Sequence, residues 1–178
     1  MDKEDSITTG QMRQILKSQY HAGLAMLRES IERCPDDLWL NTEHVNAFWQ
    51  VAYHTLFFAH LYIQPNEAAF KPWERHQSNV QNEDAIAGPP DPNSSLSLIP
   101  EPYSKEDVLV YWKHCDDLVD EAVEELNLND PSSGFSWYQV SKLEHQLISI
   151  RHIQHHTAQL ADRLRSAANI GVRWVGPK

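Results

Sequence analysis

Apolar side chains recur along this chain at intervals of three and four residues in four separate stretches. That spacing places them on one face of an α-helix, which has about 3.6 residues per turn. The stretches run from about Thr8 to Arg33, Asn41 to Ile63, Ser104 to Leu126 and Ser141 to Asn169. The second is apolar on nearly all sides, which is typical of a helix buried by several neighbours. A clear strand pattern is missing, so the sequence predicts an all-α fold.

Residues that start or stop helices stand at the ends of these stretches. A proline pushes the residue before it out of helical geometry, Asn and Thr cap helix starts, and glycine ends helices. In chain order the signals are Pro35, Asn41 or Thr42 as an N-cap, Pro65, the capping boxes Ser104-x-x-Asp107 and Ser141-x-x-Glu144, and Gly171 as the final stop.

Between the second and third stretches lies a segment of different composition, 64–103. It holds seven of the ten prolines, which excludes one continuous long helix. Within it, Glu67–His76, with Phe70 and Trp73, is a candidate short helix. We expect the remainder of the segment to form an extended crossover or lid. Four long helices with one long connection fit a four-helix bundle. We therefore expect a single domain over 1–178.

Composition narrows the class of function. The net charge of −10 argues against nucleic-acid binding, which needs clustered Lys and Arg. The two cysteines, Cys34 and Cys115, form no CxxC motif and fit two inert thiols better than a disulfide framework. The polar N-terminus is no signal peptide, and no uninterrupted apolar stretch is long enough for a membrane span. We expect a soluble, cytoplasmic protein.

Three histidines are the candidate functional residues. His152 and His156 are four residues apart in RHIQHHTAQLADRL (151–164), so on a helix they lie on one face, one turn apart. That geometry lets two imidazoles share one metal ion. His54 lies in the apolar run FWQVAYHTLFFAHLYI (48–63) and is a third candidate ligand from another helix.

Other histidines stay open as ligands. The second stretch is so apolar that its pattern cannot choose between His54 and His60, and His145 lies about 20° from His152 on the helix face. His155 and His44 are poorer candidates. With ten histidines in the chain, an i, i+4 pair can also arise by chance, and a lone buried histidine is usually a hydrogen-bonded core residue.

Two segments carry a resemblance to a known family. HIQHHTAQL (152–160), after an arginine in the last helix, and WQVAYHTLFF (49–58) resemble the DinB-like metal-binding four-helix-bundle superfamily. The resemblance covers nearly the whole chain in helix order and length. It implies that His54, His152 and His156 bind a divalent transition metal, with zinc or nickel expected, and that the protein forms a homodimer. The superfamily commonly has glycine before the Gln-Leu pair, where this chain has Ala158.

A three-histidine site suits zinc, nickel, copper or iron and leaves positions open for water or substrate. Better understood members of the superfamily transfer a low-molecular-weight thiol to an electrophile. The resemblance therefore implies a thiol S-transferase-like enzyme with a small-molecule substrate and a possible thiol cofactor. The alternatives are a non-catalytic, metal-stabilised binding or dimerisation protein and a metal-dependent hydrolase. The sequence assigns no catalytic residue.

Further side chains near the histidines allow two interpretations. Gln159 and Arg163 share the imidazole face, where they could support the ligands or bind an anion, or simply be surface polar residues. Four aromatic residues could wall a pocket or pack in the core: Trp49, Tyr53, Trp73 and Trp137.

Overall fold

The computed structural model describes residues 7–78, 80–81 and 101–176 of the 178-residue chain. This part is all-helical, with five α-helices, of which four are long, and no strand among the described residues. The helices are α1 (Thr9–Arg33), α2 (Asp36–Trp39), α3 (Phe48–Tyr62), α4 (Lys105–Glu125) and α5 (Lys142–Ala168). The all-α prediction is confirmed. No helix of the described part is long and apolar enough to cross a membrane.

The four long helices pack pairwise, with α1 and α3 each lying against both α4 and α5. Helices α3 and α5 run in opposite directions. Asn46, just before α3, contacts Arg163 near the end of α5, whereas Tyr62 at the end of α3 contacts His145 near the start of α5. The whole length of α3 therefore faces α5.

Helix α3 is buried on almost every side, as its apolar sequence predicts. Tyr53 on this helix stacks on Tyr103, with ring centroids 4.6 Å apart, and Trp73 stacks on Tyr111 at 4.7 Å. Trp49, Tyr53 and Trp73 are therefore buried core residues, whereas Trp137 is 47% exposed.

The second predicted helix begins later than expected. Asn41 and Thr42 are not its N-cap, because 41–47 is not helical and α3 starts after Ala47. The side chain of Asn41 instead accepts a hydrogen bond from the Glu43 N–H at 2.7 Å, which closes a local turn and competes with helix formation. The four-residue helix α2, which follows Pro35, was not predicted.

The predicted short helix at Glu67–His76 is also wrong in extent. Only a 3₁₀ turn, Glu67–Ala69, forms there. Asn66 caps it by accepting from the Ala69 N–H at 2.9 Å, and Pro72 follows soon after it. Of the predicted excursion, residues 79 and 82–100 lie outside the described residues.

The two predicted serine caps are confirmed. The Ser104 and Ser141 hydroxyls accept from the N–H groups of Asp107 and Glu144, and these serines precede α4 and α5. Gly171 does not end α5. Asn169, with φ 54°, is the left-handed C-cap, and its N–H donates to the Arg165 carbonyl at 3.1 Å.

Candidate metal centre

The centre lies where α3 and α5 cross near their midpoints. His54 is only 1% exposed on α3, and His156 is 6% exposed on α5. His152 lies one turn before His156 and is half-buried. The i, i+4 spacing on α5 and the antiparallel packing of α3 together bring the three imidazoles to one point.

The three rings present the same atom to one another. The Nε2 atom of His152 lies 3.1 Å from Nε2 of His54 and 3.0 Å from Nε2 of His156. One ring nitrogen from each of the three residues lies within 4.8 Å of the other two, and this is the one such group of potential ligands among the described residues. The structure thus brings together all three histidines singled out from the sequence.

Hydrogen bonds to the opposite ring nitrogens orient two of these imidazoles. The Nδ1 atom of His54 lies 3.2 Å from the backbone carbonyl oxygen of Gln81, and Nδ1 of His156 lies 2.7 Å from Oε1 of Gln159. Both partners are acceptors, so each ring carries its proton on Nδ1 and directs an Nε2 lone pair inward. Metal-binding histidines are commonly held in this way.

Burial keeps the imidazoles neutral. Burial, together with the neighbouring His156, lowers the pKa of His54 to about 3. Burial, with His156 and His54 beside it, lowers the pKa of His152 to about 2, and burial also lowers the pKa of His156. Because a metal ligand must be unprotonated, these rings are available to an ion at neutral pH.

The donor set fits a metal ion better than it fits a hydrogen-bonded core. The His152 Nε2–H can donate to only one of the two lone pairs that face it, which leaves the other without a donor. A tetrahedral ion with bonds of about 2.0–2.1 Å would hold its ligand atoms about 3.3 Å apart, close to the spacing observed here. His152 Nδ1 is buried without a hydrogen-bond partner among the described residues.

The walls of the centre are apolar on one side and polar on the other. The ring of Phe58 lies 4.7 Å from that of His54 and 5.4 Å from that of His152, centroid to centroid. Gln159 is exposed although it contacts the buried His156. Gln159 therefore links the buried imidazole of His156 to the protein surface.

The other candidate ligands lie elsewhere. His60 faces α4, where its Nδ1 lies 3.2 Å from the Tyr111 hydroxyl oxygen and its ring is 4.9 Å from that of His114. His145 stacks on Phe135 with centroids 4.6 Å apart. His155 and His44 are exposed. None of these four joins the three-histidine group.

The two cysteines are free and buried, as the sequence predicts for inert thiols. Burial raises the pKa of Cys34 to about 12 and raises that of Cys115 well above its ordinary value. Neither thiol is therefore a nucleophile at neutral pH.

The sequence did not indicate the Gln81 carbonyl as the partner of His54. The acceptor is a backbone oxygen, so no residue type could have signalled it. The half-buried guanidinium of Arg163, two turns beyond His156, donates to the Asn46 carbonyl at 2.8 Å.

Comparison with known proteins finds no matching protein family, curated protein or solved structure.

Proposed function

We propose that His54, His152 and His156 bind a divalent transition metal and that the chain is a metal-dependent enzyme of the thiol S-transferase kind. The observation that carries this proposal is the convergence of three Nε2 atoms, since those of His54 and His156 lie 3.1 Å and 3.0 Å from that of His152. The rings of His54 and His156 are both oriented by an acceptor at Nδ1. Zinc or nickel is the proposed ion, because imidazole suits both.

The helices support the same proposal. Two ligands one turn apart on the last helix and a third from an earlier buried helix are what the resemblance to the DinB-like superfamily implies. We propose that α1, α3, α4 and α5 form the four-helix bundle of that superfamily, with the proline-rich segment as its crossover. Homodimerisation belongs to this proposal as well.

Each part of the centre has a proposed task. The three histidines hold the ion without a carboxylate, and Phe58 excludes water from one side. When bound, the ion would supply the positive charge that keeps a coordinated thiol in its thiolate form. The thiol must come from a ligand, since Cys34 and Cys115 are buried and protonated.

The burial of His54 and His156 also favours a second candidate, a non-catalytic protein that the metal only stabilises. The two candidates differ in one result. A structural site raises the melting temperature on metal binding but gives no turnover with any thiol and electrophile.

The first experiment is elemental analysis of protein purified without a tag or nickel resin, compared with two variants. We expect near-stoichiometric zinc or nickel in the native protein and its loss in His152→Ala. The matched control is His155→Ala, which removes an exposed imidazole from the same helix and should keep the metal. Absence of metal in the native protein, even after incubation with zinc and nickel, would overturn the metal centre.

A second experiment separates the reactions. Metal-loaded protein is incubated with small thiols and an electrophile such as an alkyl halide, and in parallel with activated esters without thiol. Thioether formation that disappears in His152→Ala supports the transferase. Ester hydrolysis without thiol would point to a hydrolase instead, and two blank screens would leave the structural metal site.

A further inference from the structure

Arg163 continues the polar face of α5 beyond the metal centre. It lies seven residues after His156, which on an α-helix is about two turns, or about 10 Å, along the same face. Gln159 lies between the two and contacts His156. Arg163 and the histidine cluster therefore share one polar stripe, in which Gln159 is exposed.

Arg163 stands out by its lack of a carboxylate partner. Among the described basic side chains that are at least partly buried, Arg13 and Lys17 pair with Glu124, and Lys105 pairs with Asp36. Arg163 makes no ion pair within the described residues. Its one hydrogen bond there goes to the Asn46 carbonyl, through Nη1.

A guanidinium carries five N–H donors in a planar fork, and toward the described residues this one uses a single donor. A half-buried guanidinium with free donors is well suited to the two oxygens of a carboxylate. Burial removes part of the water around the charged Arg163 guanidinium, which lowers the pKa of this group. A bound anion would compensate that loss.

Lys142 is the contrasting case. It is a buried cation without an ion pair among the described residues, but its ammonium donates to the carbonyls of Pro65 and Ser133. It lies at the start of α5, at the other end of the helix from Arg163. Within the described part of the chain, the Lys142 ammonium has two acceptors, whereas the Arg163 guanidinium has one.

The charge around the metal centre favours the same kind of ligand. The three histidines are neutral, and their hydrogen-bond partners, the Gln81 carbonyl and the Gln159 amide, are neutral too. A divalent ion would keep its full charge there, with a guanidinium about 10 Å away along α5. With an ion bound, the histidines and Arg163 would together carry positive charge, although the whole chain carries −10.

We propose that Arg163 binds a carboxylate of the ligand whose other end reaches the histidine cluster, so that the substrate or its thiol cofactor is a small carboxylic acid. A carboxylate rather than a phosphate dianion is indicated, since one guanidinium matches one negative charge. This inference rests on the proposed function, because it places the other end of the ligand at the metal.

The test uses full-length protein loaded with cobalt, whose absorption spectrum changes when a thiolate binds the metal. Two probes of equal length are titrated, mercaptohexanoate and mercaptohexanol, which carry a carboxylate or a hydroxyl at the end remote from the thiol. Cobalt stoichiometry is measured in the same samples. The variants are Arg163→Gln and Arg163→Lys, and the control is Arg151→Gln, an exposed arginine of the same helix.

We expect native protein to bind mercaptohexanoate about tenfold or more tightly than mercaptohexanol, as a charged bidentate hydrogen bond would give. Arg163→Gln should lose this preference while keeping its cobalt and its affinity for mercaptohexanol. Arg163→Lys should keep part of the preference, and Arg151→Gln all of it.

Equal affinities in native protein, or an undiminished preference in Arg163→Gln, would overturn the inference. If Arg163→Gln does not fold, Arg163→Lys decides, because an unchanged preference there contradicts a bidentate contact. Failure of native protein to bind cobalt at all would instead overturn the proposed metal centre, and this inference with it.

Discussion

The Nε2 atoms of His54 and His152 lie 3.1 Å apart although 98 residues separate them in the chain. This contact joins the middle of α3 to the middle of α5. On the side away from His152, the rings of His54 and His156 each make one further polar contact, so the arrangement consists of three potential ligands and two supports.

Gln159 should determine part of the metal affinity. Replacing Gln159 with Leu removes the acceptor from His156 Nδ1, so the ring loses its fixed tautomer and orientation. We expect metal affinity to fall by about 10–100-fold while the helical content is unchanged. Competition with a fluorescent zinc chelator measures the affinity. Gln19→Leu, the same change at an exposed position of α1, should leave it unaltered, and equal affinities in both variants would contradict the assigned role.

Lys142 should contribute strongly to stability despite being a charged residue. Its ammonium joins the carbonyls of Pro65 and Ser133, which belong to two different connections, and lies 5.5 Å from the Phe135 ring centroid. Lys142→Met leaves both carbonyls without this donor, and we expect a loss of about 1–3 kcal/mol in unfolding free energy.

Urea denaturation measures that loss. Lys113→Met is the matched control, because Lys113 is exposed and its one ion pair in the described part of the chain is with Asp117 on the same helix. It should cost no more than about 0.5 kcal/mol. Equal effects of the two substitutions would show that the buried ammonium is not a structural tie.

Acid should destabilise the metal-free protein through its buried histidines. Burial lowers the pKa of His60 and of His145 to about 4, with His114 and Lys142 adding repulsion, from an ordinary value of 6.5. The unfolded chain therefore binds protons first as pH falls. The stability due to these neutral rings is complete above pH 6.5 and is lost as pH falls towards about 4.

The substitution His145→Leu isolates one of these groups. Both ring nitrogens of His145 are buried without a hydrogen-bond partner among the described residues, so Leu removes a titrating group without breaking a bond seen there. In chelator-treated protein, we expect the fall in unfolding free energy between about pH 7.5 and about pH 4.5 to be about 1–3 kcal/mol smaller in this variant. An identical pH dependence would contradict the prediction.

The two cysteines should react with a thiol reagent only after unfolding. Cys34 and Cys115 are buried, and burial raises the pKa of both thiols, so little thiolate exists at neutral pH. Ellman's reagent should label the native protein slowly and both thiols rapidly in urea. Rapid labelling of native Cys34 would contradict this prediction and the statement that the reacting thiol must come from a ligand.

The pairing of His152 with His156 could be predicted because it depends only on the geometry of one helix. The choice between His54 and His60 could not be made from the pattern. Both are buried on α3, and they differ only in the helix they face, since His54 faces α5 and His60 faces α4. That difference arises from packing between distant segments, and only the family resemblance pointed to His54.

The start of α3 shows the opposite limit. Asn41 is a good N-cap residue, but here its side chain bonds to the Glu43 N–H within a turn, and α3 begins after Ala47. Likewise, Asn169 rather than Gly171 takes the left-handed conformation after α5. At the start of α3 the favoured cap residue is occupied in a local turn, and after α5 two residues suited to the left-handed conformation stand close together, so the residue types alone do not fix either helix end.

The two supports of the histidine cluster differ in how evolution can alter them. His54 is held by a main-chain oxygen, which every amino acid supplies, so substitution of the Gln81 side chain alone does not remove it. His156 is held by a side-chain amide that a single substitution deletes. A single substitution at position 159 is thus enough to alter the candidate metal centre, whereas a single substitution at position 81 is not.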